Sequence, residues 1–418
     1  MSAPPPTGLI SLEDYVSIIG QAEVDEMRAL ARRLEGRTIK MVNSTAMGGG
    51  VAEILNRLVP LMNEVGVPTR WDVITGGDDF FEITKGFHNA LHGAPYEVHE
   101  QAFEIFRSYQ QQNLANLQFD EDFVVIHDPQ PIGLIEARQK PGKAAPGPRR
   151  AHWIWRCHID VSRPHPQVWS FLEKYMKRYD AMIISSPAFT RPLPIAQYLF
   201  YPSIDPHSQK NQDLDEDFIA KTLERFGIDS KRRILLQVSR FDRLKDPLGV
   251  IQAYKLVRKY TDCQLVLAGG GAKDDPEGGQ VLAEVREAAG DDPDIHLLAL
   301  PPWSALEINA LQRAATIIIQ KSLQEGFGLT VTEGLWKKKP VVASAVGGIP
   351  LQIQHKLTGM LAHSVEGTAY QIRYLLSNPA VATRLGENGY EHVKENFLIT
   401  RNLKRYVLLF LSLSGAAQ

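Results

Sequence analysis

Short apolar runs alternate with longer amphipathic stretches along most of this chain. Residues 38–43 form the first such run, and a glycine turn follows it. Beyond the turn, Val51, Ile54, Leu55, Leu58, Met62 and Val65 recur at helical spacing on one face. The pattern predicts a strand and then a helix over 51–65. Further strands are predicted at 70–74, Phe123–His127, 151–157, 181–185 and 197–201, while 76–122, polar and aromatic with weak periodicity, is expected to form helices over the sheet. The second half repeats the alternation, with strands predicted at 233–238, 264–268, Ile295–Ala299, 316–320 and 340–344. Regular strand–helix alternation argues a parallel, doubly wound α/β sheet in each half. The polar segment 205–212 is read as the linker. This gives an N-terminal domain over 1–205, a C-terminal domain over 206–398, and a last helix over 399–413.

Length agrees, because 418 residues exceed one ordinary core. The 46 basic and 48 acidic residues leave a formal charge of −2, so no bulk field invites nucleic acid or an anionic membrane. Phosphate, if bound, must be met by a few placed cations. Cys157 and Cys263 are too few for a disulfide framework or a cysteine metal site. Residues 1–8 lack the basic and apolar regions of a signal peptide and read as a flexible tail. The apolar run 407–411 is far short of a membrane span. A cytoplasmic protein is expected.

The most informative chemistry lies in Glu325-Gly326-Phe327-Gly328-Leu329-Thr330-Val331-Thr332-Glu333. This loop follows a predicted buried strand, at the carboxyl end where open α/β sheets bind ligands. Gly326 and Gly328 permit close backbone approach, and the amides of a helix starting near Leu329 offer donors to a diphosphate. One carboxylate can then face a sugar and the other a ribose. The plain alternative is two solvated helix-end glutamates. A second glycine turn, Gly347-Gly348, follows the strand at 340–344, and Arg240 and Lys245 follow the strand at 233–238.

Together these motifs resemble the retaining nucleotide-sugar glycosyltransferases of family 4, which have two Rossmann-like domains facing across a cleft in the B-type fold. The front half narrows the resemblance: Gly48-Gly49-Gly50-Val51-Ala52-Glu53, His127-Asp128-Pro129-Gln130-Pro131 and Trp155-Arg156-Cys157-His158-Ile159-Asp160 are similar to the trehalose synthase group. The likeness spans roughly residues 38 to 397. It implies transfer of glucose from a nucleoside diphosphate glucose to free glucose, a reversible reaction that forms α,α-trehalose. It also implies that the last helix packs back on the first domain.

By that resemblance, Glu325, His158, Arg240 and Lys245 are the catalytic residues. The donor is held by Gly49, Gly50, Arg240, Lys245, Glu325, Gly326, Phe327, Gly328, Leu329, Thr330 and Glu333, with Glu333 on the ribose. His127, Asp128, Gln130 and Asp160 are acceptor-side groups, and Asp160 either orients the His158 imidazole or binds acceptor hydroxyls. A polar turn fixed by Pro129 and Pro131 is the alternative for the first three. The Asp-x-Asp pairs near 120, 213, 215 and 292 do not follow an apolar strand, so neither a metal nor another cofactor is expected. The partners expected are the two sugar substrates, with a homodimer left open. A trehalose phosphorylase, using phosphate instead of a nucleotide, is the nearest alternative. Two departures from the family stand out: Lys338 where glycine usually ends the helix, and Gly334 where alanine is commoner.

Overall fold

The computed structural model describes residues 11–47, 50–139, 151–270 and 277–415. They fall into two compact units, one reaching Pro202 and including the chain from Ile399 onward, the other covering Ser203–Leu398.

In the first unit, β1 (Ile39–Asn43), β2 (Thr69–Val73), β3 (Phe123–His127), β4 (His152–Arg156), β5 (Ala181–Ile184) and β6 (Ala196–Leu199) form one parallel sheet. Its order is β2-β1-β3-β4-β5-β6. Every residue of β1, β3 and β5 is buried. A parallel strand covered on both faces carries no polar alternation, which is why these strands appear as apolar runs. One face packs on the helices Gly50–Glu64 and Ile399–Leu413, with Leu55, Leu58, Leu403, Tyr406 and Phe410 buried together. The other carries the helices Asp78–Leu91, Glu100–Asn116 and Pro166–Met176. Aromatic contacts dominate there, including a Phe103–Phe171 stack with centroids 4.0 Å apart. Asp78–Leu91 and Pro166–Met176 each present a clear apolar face to this layer, and only Glu100–Asn116 shows the weak periodicity read over 76–122.

In the second unit, β7 (Ile234–Val238), β8 (Gln264–Gly269), β9 (Ile295–Ala299), β10 (Ile317–Gln320), β11 (Val341–Ser344) and β12 (Met360–Ala362) are ordered β12-β11-β10-β7-β8-β9, again all parallel. The strand β12 escaped sequence reading because three residues are too few to show a pattern. The segment 205–212 follows closely on the boundary at Pro202 and is packed within the second unit. Asp205 and Asn211 are buried, Asn309 Nδ2 donates to the carbonyls of Gln209 and Gln212, and Arg313 Nη2 donates to that of Asn211. Its own polar side chains close it on itself, with Asn211 Nδ2 donating to the Asp205 carbonyl and to Ser208 Oγ. No helix among the described residues is long and apolar enough to cross a membrane.

Strand order reverses between β1 and β3 in the first unit and between β7 and β10 in the second. Such switch points open a crevice at the carboxyl ends of the strands.

Candidate active site

Two loops meet at the switch point of the second unit, one after β7 and one after β10. Lys245 Nζ lies 2.5 Å from Glu325 Oε2, which also accepts from Ser322 Oγ at 3.1 Å and Gln320 Nε2 at 3.3 Å. Glu325 is 8% exposed, so its carboxylate is held in place by three donors. Next to this pair, Lys321 Nζ bonds the Asp246 carboxylate, and the Leu323 N–H donates to the Leu244 carbonyl at 2.8 Å. Asp246 sits at φ 48°, where its side chain accepts from the Gly249 N–H at 3.0 Å and caps the helix Pro247–Arg258. Local capping and the Lys321 contact together hold this residue in a left-handed conformation.

Arg240 bonds Asp242 at 3.0 Å while keeping 42% of its side chain exposed. Gly328, at φ 83°, opens the helix Leu329–Trp336, and no side chain caps the first turn. Thr330 Oγ1 donates to the Val238 carbonyl at 3.2 Å, tying that turn to β7. The second glycine turn now has a reason. A Cβ on Gly347 would lie 1.6 Å from the Glu325 carbonyl oxygen, and one on Gly348 would lie 2.6 Å from that of Gly326. Phe327 is buried beside Phe397 and accepts from Gln352 through its carbonyl, so it packs the loop rather than lining an open surface.

Glu333 belongs to a different cluster. It is 3% exposed, accepts from Gln312 Nε2 at 2.8 Å, and lies 3.7 Å from Lys210 Nζ. Lys337, one turn on, donates to Asn211 Oδ1 at 2.9 Å, and burial pushes its ammonium down to about 7.

In the first unit, His127 ends β3, and Asp128 follows at φ 64°. Asp128 holds this conformation because its N–H donates to the Arg156 carbonyl and its own carbonyl accepts from Trp155 Nε1. Its carboxylate accepts the His158 N–H at 2.8 Å, and burial raises its pKa to about 6. His127 Nδ1 lies 3.1 Å from His158 Nε2. Burial lowers both imidazoles, His127 to about 3, and the nearby Arg156 charge adds to the effect. Asp160 accepts from the Ser162 N–H at 2.9 Å; the ring partner of His158 among the described residues is His127. Gln130 is half-buried, and its carbonyl accepts from Gln110. Gly50 begins its helix, and Gly49 lies outside the described residues.

The aspartate pairs are engaged elsewhere. Asp122 meets Arg37 and the Thr38 N–H, Asp294 meets Arg232 and Arg258, and Asp213 meets Arg313. Sequence reading missed Lys321, Ser322 and Gln320 around Glu325. Their place at the end of β10 was the available signal.

The chain matches the family described as group 1 glycosyl transferases over residues 219–392, and the trehalose synthase N-terminal domain over 41–191. A sucrose-phosphate synthase from Thermosynechococcus elongatus superposes with a TM-score of 0.71 at 18% identity, covering 91% of this chain and all of that one. The fold is therefore that of the B-type glycosyltransferases, and the enzyme is a hexosyltransferase. A trehalose synthase from Thermococcus litoralis is 44% identical over 407 residues, 96% of this chain and 97% of that protein. The chain belongs to the trehalose synthase family. A trehalose phosphorylase from Pleurotus pulmonarius is more distant, at 27% identity over 95% of this chain and 60% of that protein.

Proposed function

We propose that this enzyme transfers glucose from a nucleoside diphosphate glucose to free glucose, with retention, forming α,α-trehalose reversibly. The observation that carries the reading is the Lys245–Glu325 pair at the switch point. It joins a cation suited to a leaving diphosphate with a carboxylate suited to donor-sugar hydroxyls. In this reading, the bond from sugar C1 to the diphosphate oxygen breaks, and its electron pair stays on that oxygen. Arg240, Lys245 and the first amides of the helix Leu329–Trp336 meet the growing charge. The acceptor hydroxyl attacks C1 from the face the diphosphate leaves, and its proton passes to a phosphate oxygen. His158, Asp128, Asp160 and Gln130 are assigned to the sugars. No metal is required, because the two cations and the helix amides supply the positive charge.

The test supplies nucleoside diphosphate glucose and glucose and follows trehalose and nucleotide together. Stoichiometric release of both, unaffected by EDTA, is expected. Loss of activity on chelation with recovery on adding Mg²⁺ would overturn the metal-free part.

One observation favours a second reading, a trehalose phosphorylase. Glu333 is already engaged by Gln312 and Lys210, and phosphorolysis has no ribose for it to hold. Trehalose plus inorganic phosphate yielding glucose 1-phosphate faster than trehalose plus nucleotide yields nucleotide-glucose would select it.

A further inference from the structure

His127 and Arg156 are register partners on β3 and β4, so their side chains leave the same face of the sheet. Arg156 is 2% exposed and anchored by Ser185 Oγ at 3.2 Å and the Phe200 carbonyl at 2.9 Å. His127 is 1% exposed, and its Nε2 is buried with no hydrogen-bond partner among the described residues. Its ring lies nearly parallel to that of His158, with an interplanar angle of 16°. His158 is half-buried, and its backbone is pinned by Asp128. The inner ring therefore cannot touch a sugar, whereas the outer ring can.

Two neutral imidazoles whose nitrogens meet at 3.1 Å share one proton at the contact, so one nitrogen donates and the other accepts. The neighbouring guanidinium carries only donors and a positive charge, which favours a lone pair rather than an N–H on His127 Nε2. The His127 proton then resides on Nδ1 and is donated to His158 Nε2. That leaves the His158 proton on its own Nδ1.

We propose that His127 is a positioning residue that fixes His158 as the Nδ1–H tautomer, so that His158 presents a hydrogen-bond donor to the substrate. The identity of that substrate rests on the glucosyl-transfer reading; the tautomer does not. The arrangement parallels the way a ring partner sets the tautomer of a metal-bound histidine.

The tautomer can be read directly in the full chain with ¹⁵N-labelled histidine, using long-range ¹H–¹⁵N correlations without substrate. Both rings are expected to carry the proton on Nδ1. A proton on His158 Nε2 in the parent protein would overturn the proposal, whatever the variants do. His127→Asn places an amide N–H where Nδ1–H stood, and His127→Phe removes it. The first should keep the His158 tautomer and kcat within roughly threefold, while the second should mix the tautomers and lower kcat by roughly tenfold with donor KM little changed. Equal losses in both variants, with unchanged melting temperatures, would count against it. Absence of glucosyl transfer in the parent protein would refute the functional reading and leave the tautomer measurement standing.

Discussion

Glu325 Oε2 gathers Lys245, Gln320 and Ser322, so a single carboxylate oxygen links the loops after β7 and β10. Removing that carboxylate by Glu325→Ala should cost about 2–4 kcal/mol of transition-state stabilisation, or roughly 30- to 1,000-fold in kcat/KM. Nucleoside diphosphate affinity, measured by calorimetry, should change little because Lys245 and Arg240 remain. A variant within threefold of the parent in kcat/KM refutes the role. Lys337 supplies a different test, through pH. Its folded pKa is depressed to about 7 from 10.5, chiefly by burial. Below pH 7 the lysine is charged in both the folded and unfolded chain, and its desolvation cost is fully present. Between about 7 and 10.5 the folded chain has released a proton that the unfolded chain keeps, so this group's contribution to stability rises with pH. The melting temperature of the parent minus that of Lys337→Met should therefore increase from pH 6 to pH 9.5. A flat difference would show that Lys337 stays charged in the fold.

At the scale of elements, the helix Leu329–Trp336 explains both departures from the family pattern. Gly334 faces β10 and β11, where an added Cβ would lie 2.8 Å from Ile318 Cδ1 and 3.3 Å from Val341 Cγ2. The missing methyl lets the helix sit close on the strands, and this offsets its poorer helix propensity. Lys338 does adopt the left-handed conformation expected of a glycine, at φ 56°. Its carbonyl lies where a Cβ on Gly386 would come within 2.0 Å, so the turn is locked by the facing helix Pro379–Asn396. Lys338→Gly should relieve about 1 kcal/mol of backbone strain. It also removes a cation–π contact with Tyr390 at 4.9 Å, worth about 0.5 kcal/mol. A net stabilisation of about 0.5 kcal/mol is expected in the urea midpoint. A drop in the midpoint would mean that the lysine side chain contributes more than the strain costs.

The whole molecule constrains the acceptor. Of the residues assigned to it on the first unit, none is a free cation. Arg156, the one basic side chain in those motifs, is buried, with Nη2 bound to Ser185 and Phe200 and Nη1 enclosed without a hydrogen-bond partner among the described residues. A phosphate placed there would lose its hydration without a partner, at a cost of several kcal/mol. Free glucose should therefore be used at least roughly tenfold faster than glucose 6-phosphate, measured as nucleotide released from a common donor. Faster turnover with glucose 6-phosphate would point to a trehalose-phosphate synthase.

Local pattern alone located eleven of the twelve strands: the inner ones are buried, mostly apolar runs, and the edge strands β2, β6 and β9, though partly exposed, keep enough apolar residues to stand out between turns. It also determined that Arg240, Lys245, His127, His158 and Glu325 stand at or just beyond the carboxyl ends of strands, since each follows an apolar run directly or within a few residues. Strand order was not written there. Only the tertiary structure set β7 against β10 and β3 against β4, and with them the contacts Lys245–Glu325 and His127–His158, which join residues 80 and 31 positions apart. The burial of Glu333 likewise depends on Gln312 from another helix. A sequence fixes which faces of its elements are apolar; which element then covers which is settled by the summed packing of both halves of a sheet, and the partners of a buried polar group follow from that choice.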